Sequence, residues 1–212
     1  MEVSVKRFKP LSGKAKYHLM FLHGMNSNPR SLENIAINFQ QQFKDAYIYL
    51  PTATFTANTD YENFRWFNKS LKKEEMLKEV ESSREEIAAY IGYIARQENI
   101  PFSKVILCGF SQGAMMALYT APRLKEKISG IISFSGNLIF PETLATEIKS
   151  KPDILLLHGT EDKIVPYSDL VKTAEILQKH FTVKTYTSQN TTHTISSDML
   201  KEAAKFIKNQ LR

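Results

Sequence analysis

The segment Gly109-Phe110-Ser111-Gln112-Gly113 holds a residue type that can do covalent chemistry, in a pattern that could expose it. A serine hydroxyl is a weak nucleophile until a base takes its proton, and the base needs a third group to hold its tautomer and orientation. Glycine-x-serine-x-glycine recurs by chance, so context decides. Here it follows the apolar run Val105-Ile106-Leu107 and opens into Ala114-Met115-Met116-Ala117-Leu118, which reads as a helix. A serine on so sharp a strand-to-helix turn projects its hydroxyl outward. Glycine at 109 and 113 removes the Cβ atoms that would clash where the backbone closes on itself. The helix start also turns free N–H groups and a positive dipole end toward the same point. As ordinary structure, the segment would be a tight turn with a serine N-cap.

Companions decide between these readings. In a site of this kind the acid and then the base follow the nucleophile along the chain. Ile154-Leu155-Leu156-Leu157-His158-Gly159-Thr160-Glu161-Asp162 places Asp162 in a loop just past an apolar strand. Thr191-Thr192-His193-Thr194-Ile195-Ser196 places His193 just before the last helical pattern. Order, position and residue type agree at three sites, which favours a Ser111–His193–Asp162 triad over surface or core filler. Glu161 adjoins Asp162 and is the alternative acid. His158 at the strand end reads as a turn-stabilising residue, and neither His18 nor His180 fits the position of a base. Cys108 lies within the strand before Ser111 and packs as a small apolar residue.

Attack on a carbonyl carbon puts negative charge on its oxygen, which two preorganised backbone N–H groups can stabilise. One donor follows the nucleophile, at Gln112. The other is expected after an early strand, and Phe21-Leu22-His23-Gly24-Met25 assigns it to Met25, with Gly24 allowing the turn.

These residues need a scaffold, and the rest of the chain reads as one. β-rich runs at 3–8, 17–22, 46–50, 104–110, 130–134, 153–158 and 182–187 alternate with helical patterns at 28–43, 71–97, 111–122, 168–179 and 196–211. In the second of these patterns Val80, Ile87, Ile91 and Ile94 form one apolar stripe; in the first, Leu32, Ile35, Ala36 and Phe39 do. Nearly continuous apolar strands suit a mostly parallel sheet buried on both faces, here of about seven strands flanked by helices. Such sheets bind ligands beyond the carboxyl ends of their strands. Residues 135–152 are too few for a cap domain. The irregular stretch 51–70 carries Phe55, Tyr61, Phe64, Trp66 and Phe67. Loops of this length usually have a function. Phe55, Phe64, Trp66 and Phe67 are candidates for an apolar substrate groove, with core packing around Trp66 as the alternative.

A chain of 212 residues with 42% hydrophobic content fits one α/β domain spanning 1–212. The balance of 28 basic to 22 acidic residues is mildly basic and scattered, which gives no support to a nucleic-acid surface. One cysteine excludes an internal disulfide, and no apolar run is long enough for a signal peptide or a bilayer span. A cytoplasmic protein is expected.

Leu22-His23-Gly24-Met25, Leu50-Pro51-Thr52-Ala53, Arg65-Trp66-Phe67, Gly109-Phe110-Ser111-Gln112-Gly113-Ala114, His158-Gly159-Thr160-Glu161-Asp162-Lys163-Ile164-Val165-Pro166 and His193-Thr194-Ile195-Ser196 run in order along the chain. Together they resemble the phospholipase/carboxylesterase family of α/β-hydrolases, which includes the acyl-protein thioesterases. The resemblance implies an α/β-hydrolase fold without a cap. It implies hydrolysis of carboxylic esters or acyl thioesters without metal or other cofactor, and an open groove without a cap is expected to accept short to medium acyl chains. The substrate would be a small molecule or an acylated protein, and the chain a monomer or homodimer. Thr192 stands where the family often has glycine, and Asn26-Ser27-Asn28 where it often has aspartate and glycine. The rival readings are a serine peptidase or amidase on the same fold, and a hydrolase-fold binding protein or receptor.

Overall fold

The apolar runs become strands because residues on both faces of each find cover. The computed structural model describes residues 5–57 and 62–211. Residues 3 and 4 of the expected first strand, and Tyr61, lie outside the described residues. The strands are β1 (Val5–Phe8), β2 (Tyr17–Leu22), β3 (Ala46–Pro51), β4 (Phe55–Thr56), β5 (Phe64–Arg65), β6 (Val105–Phe110), β7 (Gly130–Phe134), β8 (Asp153–Gly159) and β9 (Val183–Ser188). The helices are α1 (Glu33–Gln42), α2 (Lys73–Gln97), α3 (Gln112–Thr120), α4 (Pro141–Glu147), α5 (Tyr167–Leu177) and α6 (Ser197–Gln210).

A seven-stranded sheet runs in the order β1-β3-β2-β6-β7-β8-β9. Its pairs are parallel except β1 with β3, where Val5 faces Pro51 and Phe8 faces Ile48. Side chains alternate across it, as strand geometry requires. Met20 and Leu22 of β2 join a core with Val80, Ile87, Ile91 and Ile94 of α2, Met115 and Leu118 of α3, and Leu170 and Leu177 of α5. Leu19 and Phe21 join the opposite core, with Ala36 and Phe39 of α1 and Met199, Ala203 and Ile207 of α6. Each fully buried aliphatic side chain contributes about 1.5–3 kcal/mol, so the central strands are the least deformable part of the molecule. The site sits on their carboxyl ends.

Two local features shape that end. A 3₁₀ turn, Pro29–Leu32, leads into α1; the Asn28 side chain caps it by accepting from the Arg30 N–H at 3.0 Å. The stretch expected to be irregular carries the short antiparallel pair β4–β5, with Phe55 opposite Arg65. Only α4 lies between β7 and β8, so no cap is inserted there. No helix among the described residues is long and apolar enough to cross a membrane.

Candidate active site

Ser111 occupies the turn between β6 and α3 with φ 52° and ψ −116°. A non-glycine residue in that region costs about 1–3 kcal/mol, and the surrounding packing must hold it there. The packing is visible. The Ser111 N–H donates to the Phe134 carbonyl at 2.9 Å. A Cβ on Gly113 would run into the carbonyls of Leu22 and His23, and one on Gly109 into the backbone of Gly113. The glycines at 109 and 113 are therefore fixed by close backbone approach.

His193 and Asp162 come together from different loops. The His193 Nδ1 lies 2.7 Å from Asp162 Oδ2. Asp162 Oδ1 accepts from the N–H groups of Ile164 and Val165, both at 2.9 Å. His158 Nε2 donates to the Val165 carbonyl at 2.8 Å and lies 3.3 Å from Asp162 Oδ2. Burial alone would push the Asp162 carboxyl up. The hydrogen bonds from His193, Val165 and Ile164 outweigh it and hold the group below its usual value, so it stays ionised. An ionised acceptor at Nδ1 puts the imidazole proton on that nitrogen and leaves the Nε2 lone pair free. Glu161 is exposed, and its backbone N–H donates to the Thr191 carbonyl at 2.9 Å.

The loop carrying His193 is tied at both ends. The Thr160 N–H donates to the Ser188 carbonyl at 3.0 Å, and the Asn190 N–H to Thr160 Oγ1 at 2.9 Å. Asp198, in the first turn of α6, accepts from Ser188 Oγ at 2.6 Å and from the Tyr186 hydroxyl at 3.0 Å. Hydrogen bonds from Ser188 and Ser196 hold the Asp198 carboxyl well below the usual carboxylate range. Sequence reasoning passed over this residue, whose only local signal is an acid in a helix's first turn.

Gln112 follows Ser111 directly, and Met25 lines the same cleft as Ser111. A Cβ placed on Gly24 would lie 3.6 Å from that of Ser111, so the loop after β2 abuts the nucleophile turn. Asn26 closes that loop with φ 53°, a conformation asparagine tolerates far better than most residues. Gln112 begins α3, so its N–H has no intrahelical acceptor. Its side chain has a further task that the sequence did not announce. The Gln112 Oε1 accepts from the Trp66 N–H at 2.8 Å, and its Nε2 donates to the Phe67 carbonyl at 2.7 Å. Trp66 in turn donates its Nε1–H to the His23 carbonyl at 2.8 Å. His23 Nε2 accepts from the Ala53 N–H at 3.1 Å, which puts the ring proton on Nδ1, 2.7 Å from the Gly24 carbonyl.

A cleft of about 470 Å³ opens beside Ser111. It is lined by Gly24, Met25, Leu32, Ile35, Phe110, Ser111, Ile164 and the run 193–195, so Ser111, His193 and Met25 share one space. The His193 ring packs against that of Phe110, with centroids 4.9 Å apart. None of the aromatic residues expected to line a substrate groove lines this cleft, and for Trp66 and Phe67 the alternative of core packing holds. Trp66 and Phe67 are 1% and 0% exposed and belong to the core under α2. Phe55 and Phe64 are half-buried in the β4–β5 hairpin, where the Arg65 guanidinium covers the Phe55 ring at 5.1 Å. Polar anchors on the loop backbone draw these aromatics inward. Among the described residues no cluster of His, Cys, Asp or Glu could hold a metal ion.

The chain is similar to known proteins along most of its length. The family model described as Phospholipase/Carboxylesterase matches residues 8–211. Acyl-protein thioesterase 1 of Candida albicans is 26% identical over 99% of this chain and 98% of its own. The Debaryomyces hansenii acyl-protein thioesterase 1 is 31% identical over 76% of this chain and 74% of its own. The crystal structure of esterase PE8 superposes with a TM-score of 0.91 at 32% identity, covering 99% of both chains.

Proposed function

The chain belongs to the phospholipase/carboxylesterase family, and from that premise we propose that it hydrolyses carboxylic esters or acyl thioesters through an acyl-serine intermediate on Ser111. His193 Nε2 takes the Ser111 proton as Oγ attacks the carbonyl carbon. The carbonyl electron pair moves onto oxygen, which the N–H groups of Met25 and Gln112 receive. Collapse restores the C=O bond and expels the leaving oxygen or sulfur, which takes the proton from Nε2. Water then attacks acyl-Ser111 as His193 Nε2 takes its proton, and collapse releases the acid while that proton passes to Ser111 Oγ.

One observation carries this reading. The Asp162 carboxylate, 5% exposed and met by backbone N–H groups, lies 2.7 Å from Nδ1 of a histidine that shares a cleft with the strained Ser111. Such an acid fixes the tautomer that a base needs. The names of the curated relatives put acylated proteins among the candidate substrates. With only α4 between β7 and β8 and no inserted cap, the site suits dissolved substrates, and short to medium acyl chains are part of this reading.

The test pairs turnover with covalent labelling. Wild-type protein should hydrolyse 4-nitrophenyl esters and acyl thioesters and react with a fluorophosphonate probe, while Ser111→Ala does neither. Equal labelling of the variant would remove Ser111 from the mechanism.

A further inference from the structure

An ester has two halves, and the surroundings of Ser111 treat them differently. On one side Trp66 and Phe67 are packed into the core, and the Gln112 side chain bonds to the backbone of both. On the other side the cleft runs between the segment 24–35 and the loop 193–195. Its walls are aliphatic or aromatic at Leu32, Ile35, Phe110 and Ile195. Two of the hydroxyls that line it are engaged with each other: Ser27 Oγ lies 2.9 Å from Ser31 Oγ, which lies 2.8 Å from the Asn28 carbonyl. The volume falls within the roughly 300–1,000 Å³ typical of small-molecule sites.

We infer that this cleft receives the alcohol or thiol half of the substrate, that the preferred leaving group is apolar, and that Leu32, Ile35 and Ile195 set its size limit. The inference rests on the reading of Ser111 as nucleophile and His193 as base. In the tetrahedral intermediate the former carbonyl carbon holds four groups: Ser111 Oγ, the oxyanion, the leaving atom and the acyl carbon. The oxyanion faces the Met25 and Gln112 amides. The leaving atom must meet His193 Nε2 to be protonated. Whatever is attached to it then runs along the wall that continues from His193 through Thr194 to Ile195, into the cleft. The acyl carbon is the remaining substituent and is directed away from that wall. Ile35 is well suited to act as a gauge. It lies in the first turn of α1, half-buried, with the fully buried Ala36 and Phe39 carrying the core contact.

Two ester series separate the halves. One fixes acetyl and lengthens the alcohol from methyl through hexyl to benzyl. The other fixes methanol and lengthens the acyl chain from acetyl to octanoyl. Ile35→Trp should lower kcat/KM for hexyl and benzyl acetates by about tenfold or more relative to methyl acetate, the scale on which apolar pockets discriminate. Ile35→Ala should shift the alcohol preference the other way, and its thermal melt will report that the fold is kept. Neither variant should alter the rank order in the acyl series. A shortened acyl profile in Ile35→Trp would place the acyl half in this cleft and overturn the inference. So would unchanged profiles in both series with an active wild type. Loss of all wild-type turnover together with no fluorophosphonate labelling would instead overturn the hydrolase reading, and this inference with it.

Discussion

The two flanks of Ser111 are built by different means. The flank toward α2 is pinned by polar bonds between distant segments. Gln112 holds Trp66 and Phe67, Trp66 holds His23, and His23 holds Ala53. Ser83 and Glu79 of α2 reach the Trp66 carbonyl and the Asn68 N–H, both at 2.6 Å. The flank toward α1 is an apolar cleft with side chains on its walls and hydrogen bonds only at its rim. The difference teaches where aromatic residues are used. Trp66 and Phe67 pack into the core and hold the backbone next to Gln112, while Leu32, Ile35 and Ile195 join Phe110 on the surface of the cleft.

The largest effect is expected where the two flanks meet, at the acid behind His193. Asp162→Asn replaces an acceptor with a group that favours the wrong imidazole tautomer. Elsewhere such a change has cost about 10⁴ in kcat. Glu161→Gln, at an exposed side chain, should leave kcat nearly unchanged. Measuring kcat for both variants on one ester decides the matter, and a large loss only in Glu161→Gln would transfer the role to Glu161.

The next effect tests the pinned flank itself. Gln112→Ala keeps the backbone N–H but strips the partners from the Trp66 N–H and the Phe67 carbonyl, both buried. A buried polar group left unpaired costs about 1–3 kcal/mol, so the pair should cost ~2–6 kcal/mol in urea unfolding. Ile35→Ala, on the cleft flank, should cost less because that residue is only half-buried. Equal losses for the two would remove the distinction between a pinned and an open side.

These contrasts were only partly legible in the sequence. The seven sheet strands were: the five inner ones as mostly apolar runs bounded by turns, and β1 by its alternation of apolar and polar residues. The positions of Ser111, Asp162 and His193 at strand ends followed from the same runs. The β4–β5 pair did not, since two-residue strands carry no periodicity. The apolar stripe Leu32, Ile35, Ala36 and Phe39 was visible as a helix face, but periodicity cannot say which part of a face is covered. Ala36 and Phe39 entered the core, whereas Leu32 and Ile35 also line the cleft. Trp66 and Phe67 illustrate the same limit, because a loop aromatic looks alike whether it faces substrate or core. What decides is a hydrogen bond that the Trp66 N–H donates to Gln112, 46 residues away in the chain, and no local pattern encodes it.

Acid should destabilise the fold through the two histidines buried in β2 and just after it, and this is the smallest of the expected effects. Burial pushes both His18 and His23 down to about 4, with backbone contacts at Tyr47 and Gly24 opposing in part. His18 lies 1% exposed beside the rings of Tyr47 and Tyr49, and His23 is 0% exposed with its Nε2 committed as an acceptor from Ala53. Both therefore fold neutral. In the unfolded chain an imidazole titrates at about 6.5. Between pH 6.5 and 4 the unfolded state binds more protons than the folded state, so stability falls as pH falls through that window and levels off below it. Each histidine should contribute about 2 kcal/mol of the loss between pH 7 and pH 5. His18→Leu keeps an apolar filling for the site but cannot be protonated. Urea unfolding at the two pH values should show the variant losing ~2 kcal/mol less than wild type on acidification, whatever its stability at pH 7. An equal loss in both proteins would mean that His18 is protonated at little cost in the folded state, and that the buried end of β2 is more open to water than its packing indicates.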